Sequence, residues 1–308
     1  MSAVPASVTH CHTHARGTTR TDSRYRQRVL SHGEERSLNA QSDNPSRVPI
    51  ADHKGFGLIG LESASGLRAQ FLPTGALFAL RHREILINQL LPGPAEDGLF
   101  RLLVRWHVGH RPNREGQLGE GAGGSVTVAG PGHAFGRIGA RAVAWTTHIP
   151  GVIKTTTTFA LHPRLAAWAW RISVRNDSRV ALRVDALHAQ DLGLASEAAV
   201  RNNEAYVSQY LDLLPVAHPA LGWIILARQN QPMAGGLHPW LGVACTPGTA
   251  AFCTDGWQFF GVDHRLSAEP RALRRPSLPS RRLQYEFALA GLQSRMVDLR
   301  PRAVEAAG

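Results

Sequence analysis

From about Phe56 onward, apolar and polar residues alternate with a period of two, in short runs. The clearest run sets Trp168, Trp170, Ile172 and Val174 against Arg171, Ser173 and Arg175. Successive side chains of an extended strand point to opposite faces, so two indoles and two β-branched residues share one core face. Asn176-Asp177-Ser178 then supplies a turn, and Val180, Leu182, Val184 and Ala186 a returning strand. Together they predict a β-hairpin.

Other short runs read the same way. Leu58–Glu62, Leu67–Phe71, Ala76–Leu80 and Glu84–Asn88 are broken by Ser65-Gly66, Pro73-Thr74-Gly75 and Arg81-His82-Arg83. Further strands are expected over Leu99–His107, Ser125–Ala129, Arg141–Ile149 and Val152–Leu161, the last favoured by its β-branched run Thr155–Thr158. Gly222–Arg228, Trp240–Cys245 and Ala250–Thr254 follow, and the pattern closes over Arg281–Met296. Ser196–Leu214 is ambiguous. Val200, Val207, Tyr210 and Leu214 suit a helical stripe capped by Ser196, but Arg201-Asn202-Asn203 argues against one long helix. Many short strands with regular turn signals predict an all-β, antiparallel sandwich.

Composition divides the chain. Residues 1 to about 50 are rich in Ser, Thr, Arg and His and carry no periodicity, so they are expected to be a disordered extension. Residues 51–300 are the sandwich, and residues 301–308 a short tail. A net charge of +11 raises a nucleic-acid reading, but Lys54 and Lys154 are the only lysines and the arginines form no run. No nucleic-acid surface is expected. No stretch of eighteen apolar residues and no secretory layout appears, so no membrane segment is expected and the cytoplasm is the expected location. Cys11, Cys245 and Cys253 make an odd count. Reduced, buried thiols are the simplest reading, with a Cys245–Cys253 bridge sterically open.

Motifs for common chemistries do not fit their context. Gly119–Gly124 spells a dinucleotide fingerprint, but a polar loop precedes it and a strand follows, so it reads as a loop. His10, His12 and His14 around Cys11 lack a partner cluster for a metal site. Asp191, Glu204, Asp212 and Asp255 are carboxylates that a glycosidase pair would need. Asp191 and Asp255 equally suit the satisfying of turn amides at strand ends. No catalytic residue is assigned.

The densest chemistry lies between Gln190 and Asp263: Gln190-Asp191-Leu192-Gly193-Leu194, Arg201–Tyr206, Ser208-Gln209-Tyr210, Ala227–Asn230, His238-Pro239-Trp240 and Thr254–Phe259. Amides and charges beside flat rings suit sugars, whose hydroxyls need paired donors and acceptors and whose C–H faces stack on aromatics. Glu204, Tyr206, Gln209, Arg228, Gln229, Asn230, Trp240, Asp255 and Trp257 are the candidate sugar-binding residues. The competing reading is that the polar members knit this sandwich to a neighbouring domain.

The order of these clusters, from about Gly57 to Arg295, resembles the N-terminal β-sandwich of the cellobiose phosphorylase family, glycoside hydrolase family 94. The likeness is nearest to members acting on β-1,2-linked glucans, the oligoglucan phosphorylases and the phosphorylase region of cyclic glucan synthases. The resemblance implies a super-β-sandwich of galactose-mutarotase type. It implies no cofactor beyond inorganic phosphate as co-substrate of the full-length enzyme. Its partners would be a β-glucan or oligosaccharide, an (α/α)6 barrel in cis or in trans, and a second copy in a homodimer. In that family the barrel supplies the general acid, so this chain alone is expected to be inactive. A split subunit, a gene fragment and an assembly error all remain open as its origin. An autonomous carbohydrate-binding module and a self-sufficient glycosidase using Glu204 are the alternatives from other classes.

Overall fold

The computed structural model describes residues 57–91, 98–108, 123–246, 248–263, 269–284, 287–301 and 304–307. The expected extension, the His10–His14 cluster and most of the glycine loop, Gly119 to Ala122, lie outside the described residues.

In chain order the strands begin with β1 (Ile59–Glu62), β2 (Leu67–Phe71), β3 (Leu77–His82), β4 (Ile85–Leu86), β5 (Arg101–Val108) and β6 (Gly123–Thr127). Next come β7 (Ala134–Gly139), β8 (Ala142–Ile149), β9 (Ile153–Leu161), β10 (Trp168–Asn176), β11 (Leu182–Asp191) and β12 (Ala195–Ser196). Two short helices, α1 (Glu197–Asn202) and α2 (Glu204–Gln209), precede β13 (Leu211–His218), β14 (Gly222–Gln229), β15 (Trp240–Val243) and β16 (Thr249–Asp255). A single helical turn, α3 (Gly256–Phe259), then leads to β17 (Ala288–Ser294), β18 (Val297–Leu299) and β19 (Val304–Ala307).

These strands build three sheets. The first has the order β1-β2-β3-β4-β12, and the second β19-β10-β9-β8-β7. The third has nine strands, running β13-β14-β16-β17-β11-β5-β6, with β15 also on β14 and β18 also on β11. Among the described residues the paired strands run antiparallel, except that β14 meets β16 at the parallel bridge Gly222 to Thr249; an isolated parallel bridge also joins Cys253 to Arg281. The protein is an all-β assembly of antiparallel sheets, as the alternation predicts.

One core joins all three sheets. Phe71 from the first sheet meets Phe159 at 5.2 Å and Trp145 at 5.5 Å between ring centres, both from the second. Phe100, just before β5 of the third sheet, stacks on Trp170 at 4.5 Å. Trp145 and Trp170 are among the most completely buried side chains, as the strand alternation requires for Trp170. The other face of the nine-stranded sheet carries a second apolar cluster: Leu103, Leu187, Cys253 and Leu289 lie under Phe259, Phe260, Ala272 and Leu278. A bidentate pair of Arg105 with Asp185, at 2.9 and 2.5 Å, pins that cover, because Arg105 also donates to the carbonyls of Ala272, Arg275 and Pro276.

Several expectations need correction. The Trp168–Ala186 hairpin does not form: β10 pairs with β9 and β19, whereas β11 pairs with β5, β17 and β18. The turn between them carries the chain from one sheet to another. Asn176 holds it, donating to the carbonyls of Val180 and Leu299 at 2.8 and 3.1 Å and accepting from Ser178 N at 2.9 Å. Ser196 does cap a helix, with Ala199 N donating to its hydroxyl at 3.3 Å, but the helix ends at Asn202. Tyr210 closes α2, and Leu214, expected on a helical stripe, lies in β13. The segment set apart as a tail supplies β19 along β10. Cys245 and Cys253 are both buried and not joined in a disulfide.

Candidate functional site

Strands β11 and β16 run parallel through the nine-stranded sheet and end beside the start of β17, where Asp191 faces Leu289 and Asp255 faces Ala288. Both terminal carboxylates are buried. Asp191 Oδ2 accepts from Gln89 N and Leu90 N, each at 2.8 Å, and Gln190 Nε2 donates to Oδ1 at 3.2 Å. Burial pushes the Asp191 carboxyl up to about 6, against the lowering pull of those backbone donors. Asp255 caps α3, accepting from Trp257 N at 2.8 Å, and burial raises its carboxyl as well. Its Oδ2 has no hydrogen-bond partner. Burial, with the Asp255 charge adding to it, also pushes the neighbouring Cys253 thiol upward, so it stays protonated.

Trp257 follows the cap and stands on the rim. Its ring meets Phe287 edge-on at 6.0 Å and is 45% exposed. Gly256 permits this packing, since a Cβ there would fall 2.1 Å from the Phe287 ring. Helix α2 seats against the same strand end, with Ala288 N donating to Ser208 Oγ at 3.4 Å. It presents Tyr206 outward at 62% exposure, with exposed Gln209 and Tyr210 alongside.

The far side of α2 meets the end of β14. Gln229 is fully buried there, its amide donating to the carbonyls of Gly193 at 3.2 Å and Val207 at 3.3 Å while its Oε1 accepts from Gln231 N. Gln229 is therefore a structural amide, and its buried donors face no solvent. Asn230 N donates to Tyr210 O at 2.9 Å, which ties this turn to α2 and leaves the Asn230 side chain exposed. Across β13, β14 and β15, Asp212, Arg228 and Trp240 fall in one register row. Arg228 is exposed and Trp240 half-buried, while Asp212 pairs with Arg282 at 2.5 Å.

Helix α2 thus links two groups of candidates: Trp257 and Asp255 on one side, and Arg228, Asn230 and Trp240 on the other. Glu204 opens α2. Asp255 is turned inward and capping, so of the two Trp257 is the surface group. Tyr210 and Arg282 belong to the same neighbourhood and are absent from the sequence-based set. The four-residue spacing of Tyr206 and Tyr210 was the available signal. Among the described residues no three His, Cys, Asp or Glu side chains gather as a metal-holding group, and no helix is long and apolar enough to cross a membrane.

The chain is 33% identical over 236 residues to a 1,2-beta-oligoglucan phosphorylase from Listeria innocua serovar 6a. That match covers 75% of this chain but 19% of the relative, so the chain spans about a fifth of the protein it resembles. A crystal structure of 4-alpha-glucanotransferase from Thermococcus litoralis aligns with 82% of this chain and 37% of its own, at 9% identity and a TM-score of 0.33. A similarity at that level carries no argument about fold or function. The sequence match does establish a relationship to a carbohydrate-active phosphorylase. Residues 70–307 match the family model described as the SOGP N-terminal domain, and the chain belongs to that family.

Proposed function

We propose that this chain is the non-catalytic β-sandwich of a glucan phosphorylase of glycoside hydrolase family 94, acting on β-1,2-linked oligoglucan. In this reading the general acid and the phosphate site lie in an (α/α)6 barrel outside these residues, joined in cis or in trans. The observation that carries it is the 33% identity to a phosphorylase of which the match spans 19%.

The carboxylates support a non-catalytic role. A glycosidase pair needs two carboxyl groups facing one bond across roughly 5–9.5 Å of open space. Asp191 is buried with both oxygens engaged by donors, Asp255 is buried as a helix cap, and Asp212 is held by Arg282. The exposed rings suit a different task. Tyr206, Tyr210 and Trp257 offer faces on which sugar C–H groups stack, beside the amides and guanidinium of Gln209, Asn230 and Arg228. The domain would support the barrel and border the path of the glucan.

A chimera tests this. The matched segment of the Listeria relative is replaced by residues 57–307 of this chain, and phosphate-dependent breakdown of β-1,2-oligoglucan is followed. The expected result is a folded enzyme that keeps phosphorolysis, with Trp257→Ala raising KM several-fold and leaving kcat nearly unchanged. A soluble, folded chimera without phosphorolysis would sink the proposal. Glucan cleavage by this chain alone, lost in Glu204→Gln, would move the assignment to a glycosidase.

A further inference from the structure

A small cavity lies where the three sheets meet. Its walls include Leu67 and His82 from the first sheet, Trp168 from the second and Leu241 from the third, with Leu194 closing one side. It measures about 10 Å³ of space open to a water-sized sphere. That is about the least that accommodates one water molecule.

The lining is mostly apolar, and two of its side chains carry buried, unpartnered nitrogen atoms. His82 and Trp168 are 6% and 3% exposed, and neither His82 Nδ1 nor Trp168 Nε1 has a hydrogen-bond partner within the protein. Their chemistry is complementary. His82 Nε2 lies 3.1 Å from the carbonyl of Ser65, which only accepts, so Nε2 carries the proton and Nδ1 presents a lone pair. The indole Nε1 of Trp168 is a donor only. An occupant must therefore accept from one wall, donate to the other and fit in the volume of a single heavy atom. A cation is repelled by the indole N–H, an anion by the imidazole lone pair, and any organic hydroxyl compound is too large.

We infer that this cavity is a binding site for one structural water, which accepts from Trp168 Nε1–H and donates to His82 Nδ1. The bridge adds to the direct hydrogen bonds between the first and second sheets, such as Trp145 Nε1 to the Gly75 carbonyl at 3.2 Å. It also relieves two buried polar groups that are otherwise left without a hydrogen-bond partner.

Two measurements on the full 308-residue chain test the site. A crystal structure resolving ordered solvent should show one density peak within about 2.7–3.2 Å of both nitrogen atoms. A clear cavity, or a peak touching only one of the two atoms, overturns the inference. In solution, the 15N-labelled indole signal that disappears in Trp168→Phe should show a direct rotating-frame Overhauser peak to water, opposite in sign to an exchange peak. A core indole proton with no such peak overturns it equally. Should Trp168→Phe fail to fold, His82→Gln identifies the same signal by its shift, and the crystallographic result stands independently.

Discussion

At the scale of single residues, the buried carboxylate of Asp191 makes the sharpest claim. Its folded value of about 6 lies above the ordinary carboxylate range because burial outweighs two backbone donors. An acid raised on folding binds its proton more tightly in the native state. Stability from this group is therefore fully present below about pH 4, is lost as the pH rises toward 6, and stays lost above it. Two units correspond to about 3 kcal/mol. Asp191→Asn should remove that slope: the variant gains on the wild type by about 1–3 kcal/mol at pH 7.5 relative to pH 4, read from urea melts at both values. The amide is accommodated because its oxygen can take the donors from Gln89 and Leu90. Gln190, whose Oε1 has no partner, can rotate to accept from the new NH2. A difference between variant and wild type that is flat with pH would refute the raised value. The plain reading of Asp255 as a residue that satisfies turn amides was available from its place at a strand end, but the donors to Asp191 lie 102 and 101 positions away in sequence. The role of Gln229 was not available either, because its amide bonds to Gly193, 36 positions away in sequence.

At the scale of elements, alternation tells which residues face inward but not which strand lies beside them. The indoles Trp168 and Trp170 point to the core as expected, yet their strand takes β9 and β19 as neighbours and not the returning strand. Sheet partners depend on contacts distant in sequence, and a polar turn serves a crossover as well as a hairpin. Strand β7 leaves little mark on the alternation, because Gly136 and Gly139 interrupt it and its mostly exposed edge position needs little apolar content. The start of strand β13 falls in the ambiguous Ser196–Leu214 span, where Tyr210 and Leu214, four apart, suit a helical stripe as well. One close approach in this sheet is open to test. Gly222 has φ +69°, and a Cβ there would lie 2.1 Å from the Thr249 carbonyl oxygen, on backbone that cannot turn aside. Gly151 has φ +72° with open space around it. Gly151→Ala should cost only the backbone strain, about 1–2 kcal/mol. Gly222→Ala adds a steric clash that parts β14 from β16, and its midpoint in thermal melts should fall by several degrees more. Equal losses in the two variants would remove the close approach from the account.

For the whole molecule, three sheets could in principle unfold as three units, and the decisive feature is that they share one aromatic core. Phe71, Trp145, Phe159 and Trp170 interlock the first two sheets, and the stacking of Phe100 on Trp170 brings in the third. Removing any one sheet from the others exposes rings that bury large apolar areas and have no other place to go. Unfolding should accordingly be a single transition: tryptophan emission, from indoles in the second sheet (Trp145, Trp168, Trp170) and in the third (Trp106, Trp223, Trp240), and far-ultraviolet circular dichroism, which reports all strands, should trace the same curve in denaturant. Trp170→Ala sharpens the test because Trp170 touches rings from all three sheets. Loss of a buried aromatic costs about 3–5 kcal/mol. In a shared core that loss moves the one transition to lower denaturant and keeps both probes superimposed. In a molecule of separable sheets it would split the curves, with the second-sheet part of the indole signal moving first and the nine-stranded sheet, with its own indoles, melting where it did before.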